Sequence, residues 1–335
     1  MLHIESSINN INRTAWSEFV KAHPKGSIFQ TPEMYDSYCN TPNHHPIILV
    51  ATDNNEVVGV LLAIILSEGT GIKAFFSRRS IIFSGPIVKE DNEYILSSIL
   101  NTYKKEIRGR AIYSQIRNQY SNLDRCDQYR EAGFLYEPHL NFLIHTDSEE
   151  EIWNRIGKGR RKKIKKAINN KLSVSVFSGN TITQSMIRKG YEIIQEVYGR
   201  AKLPLVNIDL FSHMATTGTL AIFFVKNADN EIIGCRFALL YKAVIYGWYA
   251  GSKQQFYNLY PNDILIWETL RWSCQKGYKI FDYGGAGNPN KPYGVRLFKS
   301  QLGGELVDYG RYTSIHSPLL YKIGKIGMKL KKHIN

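Results

Sequence analysis

Apolar residues recur along the chain in two spacings. Short, nearly continuous runs bounded by turn residues, such as IILVA at 47–51 and VVGVLLAIIL at 57–66, predict buried strands. Longer segments such as ITQSMIRKGYEIIQEVYGRA and PNDILIWETLRWSCQKG predict helices. The first passage reads as a helix near Arg13–Ala22, then strands at Ile47–Ala51, Val57–Leu66 and Ile72–Phe76, with another in SIIFSGPIV. A helix from Asn92 to Arg108, a strand RAIYSQIRN, a short helix ending at EAGF and a strand HLNFLIHT complete it. After helices at Glu149–Ile156 and in a basic stretch comes the second passage. It has a strand LSVSVF, two helices, strands TLAIFFVKN, EIIGCRFALLY and AVIYGWYAG, the helix PNDILIWETLRWSCQKG and the strand YKIFDYG.

Both passages therefore follow one order: helix, three or four antiparallel strands, a long helix, strand, short helix, strand. A meander followed by a βαβ-like crossover is an α+β pattern. The expected organisation is two copies of one domain, 1–150 and 151–316, joined between Thr146 and Lys171, with a tail at 317–335.

Composition narrows the class. The 335 residues are 43% hydrophobic and 21% charged, values of a globular chain with a sizeable core. No apolar run reaches the roughly 20 residues of a membrane-spanning helix, and the first residues carry no secretion-signal pattern, so a cytoplasmic location is expected. Cys39, Cys126, Cys235 and Cys274 are far apart and are expected to be reduced, buried thiols. No H-E-x-x-H or His/Cys cluster occurs, so no metal is expected, and no G-x-S-x-G nucleophile elbow is present.

Charge changes the picture more. The 43 basic and 29 acidic residues leave a net +14, which favours polyanionic partners. In KGRRKKIKKAINNK, 158–171, eight residues are basic and none acidic. The run is either a solvated helix face or a polyanion site, with Arg160 and Arg161 as candidate contacts. The tail SPLLYKIGKIGMKLKKH puts Leu319, Leu320, Ile323, Ile326 and Leu330 on one helical face among basic residues. Such a helix packs on the domain or lies on an anionic membrane surface.

Candidate chemistry concentrates in KIFDYGGAGNPNKPYGVRLFKSQLGGELVDYGRY, from Lys279 to Tyr312. A strand stops at Gly284–Gly285, which permit a tight turn or a close ligand approach. A short helix carrying Arg296 and Lys299 follows, and Gly303–Gly304 ends it. Asp282 beside the turn is either a base or a brace for the turn. Tyr246, Trp248 and Tyr249 alternate along a strand, so two of the three share a face, in the core or on a cleft wall.

The element order is that of the GNAT acyltransferase fold, and the second passage resembles the Fem-type (FemABX-like) aminoacyl and acyl transferases, which carry two such domains in tandem. The resemblance rests on IWNRIGKGRRKKIKKAINNKLSV, YPNDILIWETLRWSCQKGYKIFDYGGAG and RLFKSQLGGELVDYGRY, with echoes in SIFQTPEMYDSY and SRRSIIFSGPIV. It implies two GNAT-like domains and an enzyme that forms an amide on an amino-bearing cell-envelope or polysaccharide precursor. It maps the family's "FK" lysine onto Lys299, as a group stabilising the tetrahedral oxyanion or the leaving hydroxyl. Gly284, Gly285, Arg296 and Tyr249 become candidate substrate contacts. The long helical arm of members acting on cell-wall peptide has no counterpart here.

GNAT enzymes that use acyl-CoA normally hold its pyrophosphate in a Q/R-x-x-G-x-G/A loop. The corresponding segment, Ser252–Asp263, contains no glycine. No resident cofactor is therefore expected, and the expected acyl donor is aminoacyl-tRNA or an acyl carrier protein, in preference to acyl-CoA. Alternatives are an acyl-CoA-dependent N-acyltransferase and a non-catalytic nucleic-acid-binding protein.

Overall fold

A computed structural model describes the backbone of residues 1–333 and the side chains of residues 1–325. The chain begins with β1 (His3–Glu5), α1 (Arg13–Ala22), α2 (Pro32–Cys39), β2 (His44–Asp53), β3 (Glu56–Leu66) and α3 (Gly71–Ser77). Then come β4 (Arg79–Phe83), β5 (Ile87–Val88), α4 (Glu93–Glu106), β6 (Tyr113–Arg117), α5 (Cys126–Glu131) and β7 (Leu135–Glu137). The middle runs through β8 (Leu140–His145), α6 (Glu149–Arg155), α7 (Lys158–Asn169), β9 (Ser173–Ser178), α8 (Gln184–Arg200) and α9 (Ile208–Thr216). It continues with β10 (Leu220–Lys226), β11 (Ile232–Tyr241), β12 (Val244–Ser252), α10 (Pro261–Gln275), β13 (Ile280–Gly287), α11 (Gly294–Ser300) and β14 (Glu305–Asp308). β15 (Arg311–Ile315) and α12 (Pro318–His333) close the chain.

Two compact units result: Met1–Pro138 with Tyr309–Asn335, and His139–Asp308. The first holds a sheet in the order β1-β2-β3-β4-β6-β15-β7, with β5 beside β3. The second holds β14-β8-β13-β12-β11-β10-β9. Each sheet is antiparallel except for one parallel pair, β4 with β6 and β12 with β13.

The last strands are exchanged relative to the expected domains 1–150 and 151–316. HLNFLIHT, read as the end of the first passage, forms β8 inside the second sheet, where Phe142 and Ile144 join the core. RYTSI, read as part of the second, forms β15 inside the first sheet. There Tyr312 stacks on Tyr129 at 4.4 Å and donates its hydroxyl to the Asn122 carbonyl. The chain leaves the first unit at Pro138, earlier than the expected join, and returns at Tyr309.

Three local readings are corrected. Ile72–Phe76 is helical, not a strand. β3 already places Leu66 opposite Arg79 of β4, so the connection must turn back, and a short helix begun by Gly69 and Gly71 does so. SIIFSGPIV breaks in two at Ser84–Gly85, both at positive φ, and β5 bends back onto β3. Among the thiols only Cys235 is buried; Cys39 is exposed and the other two are intermediate.

α10 is buried around most of its circumference because α7 and α6 cover the face turned away from the sheet. α7 meets it with Arg160, Ile164 and Ala167, spaced i, i+4 and i+7. Its remaining basic side chains consequently face outward. Gly303 and Gly304 are required by close approach: a Cβ would stand 2.3 Å from the Arg155 and Leu143 carbonyl oxygens respectively.

Candidate active site

In the second unit β12 and β13 pair for only three residues, ending at Tyr246 opposite Asp282. Beyond that point they part. From Gly247 to Ser252, β12 pairs with β11 alone, and the register slips so that Trp248 has no partner. This bulge turns successive residues the same way: Trp248 and Tyr249 both pack on Phe211, at 4.9 and 5.2 Å. It overrides the alternation read from the sequence. Tyr246 to Ala250 are only half-buried although β12 lies at the centre of its sheet. The two central strands therefore diverge beyond Tyr246 and Asp282.

The turn of β13 forms the opposite wall. Gly284 sits at φ +70°, and its N–H donates to the Asp282 carboxylate at 2.7 Å. Lys299, from α11, donates from Nζ to the carbonyls of Tyr283, Gly284 and Gly285, and its ammonium lies 4.6 Å from the Tyr283 ring centre. Both charged groups are buried. Burial raises the Asp282 carboxyl to about 6, against the opposing pull of the Gly284 N–H and of Lys299. Burial lowers Lys299 to about 8, Asp282 opposing and Arg236 reinforcing the shift. The lysine is therefore a buried staple of the turn, not the surface of a wet cleft, and its three donors are directed at three carbonyls.

Arg236 of β11 escaped the sequence reading. It is 2% exposed, its guanidinium lies over the Phe281 and Tyr283 rings at 5.3 and 5.0 Å, and it donates to the Tyr283 hydroxyl. Its Nε has no hydrogen-bond partner, and no carboxylate among the described residues pairs with it. A Cβ on Gly247, where the strands part, would stand 3.1 Å from its Nη1. Arg236 and Lys299 are thus two buried cations that share the Tyr283 ring, with Asp282 as the carboxylate acting on Lys299. The available signal was the single charge inside the apolar run EIIGCRFALLY.

The other expected residues divide. Gly285 is exposed at the turn. Tyr249 stands in an aromatic wall with Tyr198, Phe211 and Trp248. Arg296 donates to the carbonyls of Asn288, Pro289 and Lys291 and so shapes the loop before its helix. Arg160 is buried, pairs with Asp263 at 2.6 Å, donates to Gln301 and stacks on Phe298. It locks α7 to its neighbours, and its guanidinium is already engaged by Asp263 and Gln301. Arg161 and the lysines 162, 163, 165 and 166 are accessible and have no acidic partner among the described residues.

The N-terminus of α10, where a GNAT fold would hold pyrophosphate, is already compensated. Buried Asp263 lies in its first turn, Pro261 removes one N–H, and a 3₁₀ turn over Gln254–Leu259 precedes it. In the first unit the equivalent opening is closed. β4 and β6 pair over five residues, Tyr120 donates to the Pro86 carbonyl, and Gln30 donates to that of Gly85. No group of three or more His, Cys, Asp or Glu that could hold a metal occurs among the described residues.

The chain thus has two GNAT-like domains in tandem, and the family description for the acetyltransferase (GNAT) domain matches residues 195–293. Among solved structures it is similar to FemX, with 15% identity over 96% of this chain and 99% of that one and a TM-score of 0.71. L-PGS from Bacillus licheniformis is 16% identical over 78% of this chain and 85% of its own, with a TM-score of 0.54. A tandem GNAT protein from the clavulanic acid biosynthesis pathway is 10% identical over 95% and 99%, with a TM-score of 0.59. No curated protein matches the chain.

Proposed function

We propose that the protein is an aminoacyl or acyl transferase that forms an amide on an amino-bearing cell-envelope or polysaccharide precursor, with an acyl donor other than CoA. The opening between β12 and β13, walled by Asp282, Lys299 and Arg236, carries this reading. The acceptor amine attacks the donor's acyl carbon, and the tetrahedral oxyanion collapses with cleavage of the bond to the donor's oxygen or sulfur. Asp282, titrating near 6, accepts the amine proton, which is returned to the leaving group. Lys299 is a positioning residue: it holds the carbonyls of the turn so that the wall keeps its shape. Arg236 supplies positive charge beside the forming oxyanion.

The compensated N-terminus of α10 argues against CoA. The Fem-type likeness and the exposed lysines of α7 favour aminoacyl-tRNA. The deciding assay offers labelled aminoacyl-tRNA, acyl carrier protein and acyl-CoA with amino-bearing envelope precursors. Label should pass from aminoacyl-tRNA, and Lys299→Met should lower kcat by up to about 10²-fold through misplacement of the turn, with KM little changed. The variant should also lose about 1–3 kcal/mol of stability, because three carbonyls lose their donor. Transfer chiefly from acyl-CoA would move the protein to the acyl-CoA class, and no transfer from any donor would remove the enzyme reading.

A further inference from the structure

Two helices of the first unit leave large apolar side chains in water. α3 carries Ile72, Phe75 and Phe76, which are 78%, 46% and 40% exposed, and it buries none of its residues. α12 turns Leu320, Tyr321 and Gly324 inward, with the Tyr321 ring 5.3 Å from that of Tyr113. Its Leu319 and Ile323, one turn apart, are 70% and 46% exposed. The expected apolar face of the tail is therefore divided between packing and solvent; its Ile326 and Leu330 side chains lie outside the described residues. A Cβ on Gly324 would stand 3.9 Å from the Phe76 carbonyl oxygen, so the two helices touch there.

Charge around these residues has one sign. Lys73, Arg78, Lys322 and Lys325 surround them, with Arg78 over the Phe75 ring and Lys325 over that of Tyr321, both at 4.5 Å. The nearby carboxylate, Glu68, is paired with Arg79 at 3.1 Å. From Tyr309 to the C-terminus the sequence has no acidic residue, and it adds Lys329, Lys331 and Lys332. Exposed aromatic and aliphatic groups beside unpaired lysines match an interface of acyl chains beneath anionic head groups. A second copy of the chain would bring like charge against like charge. No helix among the described residues is long and apolar enough to cross a membrane, so the contact is peripheral.

We propose that α3 and α12 together dock the protein on an anionic lipid bilayer, independently of acyl transfer. The full chain is sedimented with vesicles of phosphatidylcholine alone and of phosphatidylcholine mixed with phosphatidylglycerol. It should bind the mixed vesicles only, and added salt should weaken the binding. Lys322→Gln with Lys325→Gln should weaken it roughly fivefold per lysine. Ile72→Gln, Phe75→Gln and Leu319→Gln together should abolish it with thermal stability retained, since all three side chains are already exposed. If the triple variant unfolds, the lysine pair decides. Absence of binding, equal binding to neutral vesicles, undiminished binding by the lysine variant or by a folded triple variant, or a patch-dependent dimer in light scattering would each overturn the proposal.

Discussion

Asp282 and Lys299 are both shifted toward their neutral forms by burial, and this has a measurable consequence. The Asp282 carboxyl moves from an ordinary 3.8 to about 6. Between those values the native chain binds more protons than the unfolded one, so stability falls as pH rises through that window. Asp282→Asn has no proton to bind there. The stability of the parent relative to the variant should therefore decline from about pH 4 to about pH 6, read from urea midpoints. A constant difference would mean that the carboxyl titrates normally. Lys299 behaves conversely: its penalty is present below about 8 and is relieved as pH rises toward 10.5. At this scale Asp282 drew attention by its place beside a glycine pair, and Lys299 through the family resemblance. The sequence did not expose Arg236, whose meaning depends on which strand parts from which.

α7 shows how one helix carries two kinds of basic residue. Arg160 points into the α10 packing and pairs with Asp263, while the lysines at 162, 163, 165 and 166 face water. Replacing those four lysines with Gln should weaken RNA binding and reduce the slope of log affinity against log salt, by about three if all four touch phosphates. Arg160→Gln should instead lower the unfolding temperature, because it leaves Asp263 buried without its partner. Filter binding across a salt series together with thermal melts separates the two. An unchanged slope in the lysine variant would return that face of α7 to plain solvation. The run of basic residues was plain in the sequence, but its division was not. Only the i, i+4, i+7 contact with α10 sorts Arg160 from its neighbours.

For the whole molecule, the exchange of end strands makes the last residues structural for the first unit. β15 lies between β6 and β7 and brings Tyr312 into the core. Ending the chain after Asp308 would leave β6 with an unpaired edge and Tyr129 without its stacking partner. Peptides covering β4 and β6 should then lose hydrogen-exchange protection, whereas ending the chain after Ser317 should preserve it. Full protection in the shorter chain would make 309–316 dispensable to the first unit.

Local information determined most of the elements, because apolar spacing, caps and glycine pairs act within a few residues. Arg13–Ala22 forms the helix that its sequence predicts, and so does most of ITQSMIRKGYEIIQEVYGRA, as α8. The repeated order of elements was enough to indicate tandem α+β domains. Tertiary structure alone decided which sheet each end strand joins, since β8 and β15 read equally well in either. Pairing partners far along the chain settled that choice. It likewise made Ile72–Phe76 a helix, because the register of β3 with β4 left no room for a strand. It also made Lys299 a buried staple of the turn, since three carbonyls of β13 converge on its ammonium only once α11 has packed.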